Sequence, residues 1–157
     1  MIKSKVKAPR GYTLLELVLA MALGAMALFA VATLAVSVST FYAQRTAEAA
    51  YDREADYLYG EIRAWVDASY VRGDSVSVTG DELILTRDGG EFGIRFDLDE
   101  GRLITRAPSG TDAVAHLYEY SCVAEVTFEC TDGFIKVTVV GDGDGAPARA
   151  FSLLLDH

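Results

Sequence analysis

The sequence predicts an α+β fold in which one long N-terminal helix, membrane-spanning in its first half, packs by its second half on an antiparallel β-sheet. Three observations carry this. Between Leu14 and Val38 the only charged residue is Glu16, and a helix needs about 20 predominantly apolar residues to cross a bilayer. Farther on, Tyr51, Ala55, Leu58, Ile62, Trp65, Val66 and Ser69 share one face at helical spacing. After Gly73 the period changes from helical to alternating, with glycine-aspartate turns between short runs. One helix followed by consecutive strands implies an antiparallel sheet with one face on the helix.

The chain opens on a basic stretch. Lys3, Lys5, Lys7 and Arg10 stand with no acid among them, so by the positive-inside rule this end stays in the cytoplasm and the rest crosses outward. Gly11 follows; without a side chain it leaves the backbone open to close approach. Glu16 is the anomaly. A lone carboxylate costs about 2.5–3.5 kcal/mol at the bilayer centre and less near its edge, so its presence marks a functional residue.

The run Gly11-Tyr12-Thr13-Leu14-Leu15-Glu16, with the basic leader before it and the apolar helix after it, resembles the class III signal of type IV prepilins and pseudopilins. The resemblance implies a type IV pilin-like fold and a prepilin peptidase that cuts between Gly11 and Tyr12 and methylates the new amine. Tyr12 departs from the family's usual phenylalanine. Glu16, four residues past that amine and about 6 Å along a helix, is implied to pair with the N-terminal ammonium of a neighbouring subunit during filament assembly. Relief of an isolated charge in lipid is the physical basis for such a choice of partner. An ordinary signal anchor with a snorkelling Glu16 is the plainer alternative. A cleavable secretory signal would have an apolar core of about 7–15 residues, roughly half the run found here.

The expected organisation is a leader over residues 1–11, a helix over 12–72 with its span at 14–38, and a sheet head over 73–157. Ala20 and Gly24 form a small-x-x-x-small pair, which an alanine-rich segment also produces by chance. Thr33 stands where major pilins, by the same resemblance, carry a helix-loosening proline. No proline occurs between Pro9 and Pro108, so the helix is expected to be continuous, about 90 Å at 1.5 Å per residue. Gly60 is expected to mark a bend or a close approach to the sheet. Arg63 and Asp67 are spaced for an i,i+4 pair.

The strands are expected at 75–79, 82–87, 92–98, 102–106, within 116–130, at 134–140 and at 148–155. Phe92, Ile94, Phe96 and Leu98 alternate with Gly93, Arg95 and Asp97, as a half-buried strand does. Asp88-Gly89-Gly90 and Asp99-Glu100-Gly101 carry turn chemistry. Residues 107–115 contain Pro108, Ser109 and Gly110 and read as a loop.

Composition limits function. The formal charge is −9, and removing the leader takes it to −13, which argues against an extended basic face for nucleic acid. Arg87, Arg95, Arg102 and Arg106 are the one local exception, read as scattered solubilising charges. Cys122 and Cys130 leave two readings open. On the outer side of a membrane they can form a disulfide, but a continuous strand would hold their Cα atoms more than about 25 Å apart, against roughly 4.4–6.8 Å in a bond. The other reading is two buried thiols on one face with Ala124, Val126 and Phe128. Gly141-Asp142-Gly143-Asp144-Gly145 invites a calcium loop at Asp142 and Asp144, but with Asp142 first the twelfth position is Leu153 rather than a glutamate; a hairpin turn is expected, with no cofactor. No nucleophile elbow, phosphate loop or histidine cluster is present, so no enzyme is expected.

The sequence therefore reads as a minor pilin or pseudopilin of a type IV pilus, type II secretion or competence DNA-uptake machine. Glu16 argues against the pseudopilin subtype that lacks this acid. The expected partners are the prepilin peptidase, other subunits of the filament and the inner or cytoplasmic membrane. The alternative is a membrane-anchored extracytoplasmic binding or adhesion module that does not assemble.

Overall fold

The computed structural model describes residues 13–115, 118–131, 133–143 and 147–155. Gly11, Tyr12 and the basic leader lie outside the described residues, as do His116 and Asp144. The chain divides into two compact units, residues 1–46 and 47–157. Among the described residues a single helix, α1 (Leu14–Ser69), supplies the regular structure of the first unit and continues into the second. Thr33 does not interrupt it, in keeping with the absence of proline.

In the second unit α1 buries Tyr51, Glu54, Ala55, Leu58, Ile62 and Val66. The expected stripe is therefore the packing face, with Trp65 and Ser69 half-buried at its margin and Glu54 as an unanticipated member. Eight strands follow among the described residues: β1 (Ser75–Thr79), β2 (Glu82–Arg87), β3 (Gly90–Asp97), β4 (Arg102–Arg106), β5 (Asp112–Val114), β6 (Val123–Thr131), β7 (Phe134–Gly141) and β8 (Ala148–Leu154). All pairings are antiparallel. The α+β class expected from the sequence is the one the chain adopts.

Three details differ from expectation. The strands form two sheets, β1-β2-β3-β4-β5 and β6-β7-β8, rather than one. They share a core instead of a ladder: Leu83, Ile94, Phe96 and Leu103 from the first and Val126, Phe128, Ile135, Val137 and Val139 from the second join the α1 stripe in one buried cluster. The segment 107–115 is not wholly a loop, because Ile104, Thr105 and Arg106 pair with Val114, Ala113 and Asp112 to make β5. Leu98 is 60% exposed; β3 ends at Asp97, whose Oδ1 accepts the N–H groups of Asp99 and Glu100 and turns the chain.

Turn chemistry sets the meander. Asp88 and Gly89 both have positive φ, 50° and 80°, between the register partners Arg87 and Gly90, which is the type I′ pattern that matches strand twist. Gly101, at φ 60°, also has no room for a side chain. A Cβ there would lie 2.9 Å from the Tyr120 carbonyl oxygen, and the Tyr120 N–H donates to the Gly101 carbonyl at 2.8 Å.

Gly60 is not a close approach to the sheet. It is exposed within α1, and a Cβ there would meet nothing within 4 Å. Gly60→Ala is therefore expected to stabilise the head by about 1 kcal/mol through helix propensity alone, read as a higher urea midpoint with an unchanged slope.

The C-terminal end of α1 is held from outside. The Arg87 guanidinium donates to the Ser69 carbonyl and to both carboxylate oxygens of Asp74. Asp74 in turn accepts the Val71 N–H at 2.8 Å. The Arg87 bond, aided by the Val71 N–H, holds the Asp74 carboxyl below the usual aspartate range. A depressed folded value means the stabilisation is complete above the unfolded value of about 3.9 and is lost as the pH falls through the lower folded value. Asp74→Asn should therefore unfold at a lower temperature than the parent at neutral pH, and the difference should close in strong acid. A difference that persists unchanged in strong acid would contradict this.

Candidate functional site

The first described residues build a local device. Thr13 caps α1: its Oγ1 accepts the Glu16 N–H at 3.3 Å, and Glu16 Oε2 accepts the Thr13 N–H at 3.0 Å and the Thr13 hydroxyl at 3.1 Å. The Leu17 N–H donates to the Thr13 carbonyl at 3.2 Å, the first turn of the helix. Thr13-Leu14-Leu15-Glu16 is thus a capping box, in which two orphan N–H groups are satisfied reciprocally. A carboxylate at a helix N-terminus is also favoured by the helix dipole. The box fixes where Glu16 points. Its Oε1 has no partner among the described residues.

From this cap the helix presents apolar side chains outward. Leu14 is 82% exposed, Phe29 72% and Leu34 65%. An 18-residue window reaches a mean hydropathy of 2.4 with none of it buried, and α1 is long and apolar enough to cross a membrane. Three of the hydroxyls in the run, those of Thr33, Ser37 and Thr40, are satisfied by the helix itself. Thr33 donates to the carbonyls of Phe29 and Ala30, Ser37 to Thr33, and Thr40 to Val36 and Ser37. In lipid every polar group needs an internal partner, and these have one.

In the head, Glu54 is the one residue among the described ones that is both charged and buried. It projects from α1 toward the segment entering β6, accepting the Ser121 hydroxyl at 3.1 Å and the Cys122 N–H at 2.8 Å. Nearby, the buried Tyr51 donates to the Val139 carbonyl at 2.8 Å, and burial pushes its phenol pKa up. Tyr120 is buried with its ring against Phe96, and its hydroxyl donates to Glu61 Oε2 at 2.7 Å. Burial and then the Glu61 bond push that phenol up as well. Tyr118 stays partly exposed, packed between Tyr57 and Tyr120.

The four arginines of the meander are each engaged. Arg87 pairs with Asp74, Arg95 with Asp97 and Asp112, Arg102 with Glu100 and Glu119, and Arg106 with Glu82 and Glu91. Arg63 and Asp67 do form their i,i+4 pair at 3.6 Å, with both side chains well exposed.

The cysteines are a correction. Both thiols are free, Cys122 just before β6 and Cys130 in its last two residues, so neither the bond nor the pair of buried thiols describes them. Cys122 is half-buried and Cys130 exposed. A bulge between Val123 and Glu125 shifts the register, and Cys130 falls at the strand's exposed end. Asp142 is exposed, and its N–H donates to the Cys122 carbonyl at 2.9 Å. Among the described residues no group of three or more His, Cys, Asp or Glu side chains is placed to hold a metal ion.

Sequence reasoning missed the roles of Thr13, Glu54 and Asp74. No family model, curated protein or solved structure matches this chain.

Proposed function

We propose that this chain is a structural subunit of a type IV filament machine, a minor pilin or pseudopilin. The observation that carries the reading is the capped Glu16 at the head of an apolar helix that the single chain leaves uncovered. Such a surface is costly in water, so it belongs in lipid or against other helices. In this reading the leader holds the precursor in the membrane, with its basic end in the cytoplasm and the head outside. The prepilin peptidase cuts between Gly11 and Tyr12 and methylates the Tyr12 amine. Glu16, fixed by Thr13 with one carboxylate oxygen available, then meets the ammonium of a neighbour. The helix exchanges lipid contacts for packed helices. The ion-paired arginines and the acidic head favour a structural role over a nucleic-acid receptor.

The test is the N-terminal mass of the protein from cells with and without an active prepilin peptidase. A chain that begins at N-methylated Tyr12 only when the peptidase is present is the expected result. A chain that keeps Met1 to Gly11 beside an active cognate peptidase would overturn the reading in favour of an anchored binding module.

A further inference from the structure

The uncharged stretch of α1 is bounded by two charges whose spacing matches a bilayer. Residues 17–44 contain no Asp, Glu, Lys or Arg, with Glu16 on one side and Arg45 on the other. The separation is 29 residues, about 44 Å along a helix. A bilayer is about 40–45 Å thick including its headgroups, and its hydrocarbon about 30 Å. An upright helix therefore cannot hold both charges in hydrocarbon, and can hold both in the two headgroup layers at once.

The outer boundary carries its own marker. Phe41 is 54% exposed and Tyr42 67%. Their rings meet edge-on at 6.3 Å between centroids, and the Arg45 guanidinium lies 5.2 Å from the centre of the Phe41 ring. Aromatic rings beside a cation at the end of an apolar run form the kind of belt that settles at headgroup level. Arginine reaches from there to phosphate.

We propose that α1 takes a fixed depth in the bilayer, with Phe41, Tyr42 and Arg45 in one headgroup layer and Glu16 in the other. This rests on the membrane reading above and adds a register to it. At rest the Glu16 carboxylate is hydrated. When the subunit is lifted toward the Arg45 side, Glu16 enters hydrocarbon and loses its water, and only then does a neighbour's positive charge become its replacement. The depth thus ties the demand for a partner to the moment of assembly.

The experiment uses the full chain with Trp65→Phe, reconstituted in phosphatidylcholine–phosphatidylglycerol vesicles whose acyl chains carry bromine at a high or a deep position. Leu17→Trp, Phe29→Trp and Phe41→Trp are compared; all three side chains are exposed in the parent. Tryptophan emission of the Leu17→Trp and Phe41→Trp proteins should lose most to bromine high on the chain, and that of Phe29→Trp most to deep bromine. Strongest quenching of Leu17→Trp by deep bromine would place Glu16 in hydrocarbon and overturn the proposal. So would Phe41→Trp emission that no bromine reduces. Peptidase cleavage is measured separately: failure of cleavage with the depth pattern intact removes the filament reading and leaves the register standing.

Discussion

Glu54→Ala is expected to lower the stability of the head by about 3 kcal/mol. The carboxylate is buried and tolerated there because two donors meet it, the Ser121 hydroxyl and the Cys122 N–H. Truncation leaves a backbone donor without its acceptor and opens space beside Ala55 and Leu58, both fully buried. The damage falls on the entry to β6, where the Cys122 carbonyl also accepts the Asp142 N–H. Glu54→Gln retains one acceptor oxygen, and its amide cannot accept the second donor, so it should cost about half as much. Urea unfolding followed by Trp65 fluorescence measures both. A loss below about 0.5 kcal/mol for the alanine variant, the range of a neutral surface substitution, would mean that Glu54 does not tie the helix to the sheet.

Under the proposed filament role, Glu16→Leu should have the largest effect on assembly. It removes the only acid of the span, so insertion into the membrane should improve, and peptidase cleavage should persist. Incorporation into filaments is expected to fall at least about tenfold, the equivalent of roughly 1.4 kcal/mol. Thr13→Ala separates the two roles of the box. It loses the hydroxyl cap, worth about 1 kcal/mol of helix stability, but keeps the carboxylate, so incorporation should fall far less. The ratio of subunit in sheared filaments to subunit in membranes gives both numbers. Normal incorporation of Glu16→Leu would remove Glu16 from the assembly mechanism.

Much of this architecture is legible in the sequence because its signals are local. Tyr51, Ala55, Leu58, Ile62 and Val66 repeat at helical spacing, and that face is buried. β1, β2 and β4 lie where alternation and glycine-aspartate turns place them. What depends on distant partners is not legible. The division into two sheets is a matter of which edges pair, and nothing near β1 or β6 specifies it. β5 is three residues long beside Pro108 and Gly110, and exists because β4 offers it a ladder. The bulge at Val123 takes Ala124 out of alternation, while Cys130 keeps the register of Val126 and Phe128 and lies exposed near the end of β6. Glu54 did leave a trace: it sits three residues after Tyr51 and four before Leu58, on the apolar stripe itself. A carboxylate at such a position asks for buried donors, but their identity, Ser121 and Cys122, lies 67 and 68 residues away. Of the candidate site, Glu16 was legible as an anomaly of charge, and its capping partner was within view in the same motif.

The hydroxyl bonds along the apolar helix have a mechanical consequence. Thr33, Ser37, Thr40 and Thr46 each hold a carbonyl of the preceding turn that a backbone N–H also uses. Such back-bonding slightly weakens a helix and often bends it, while it leaves these hydroxyls with internal partners. Residues 29–46 are in this sense the stretch of α1 where gentle curvature costs least, without loss of the hydrogen bond that a proline would have removed outright.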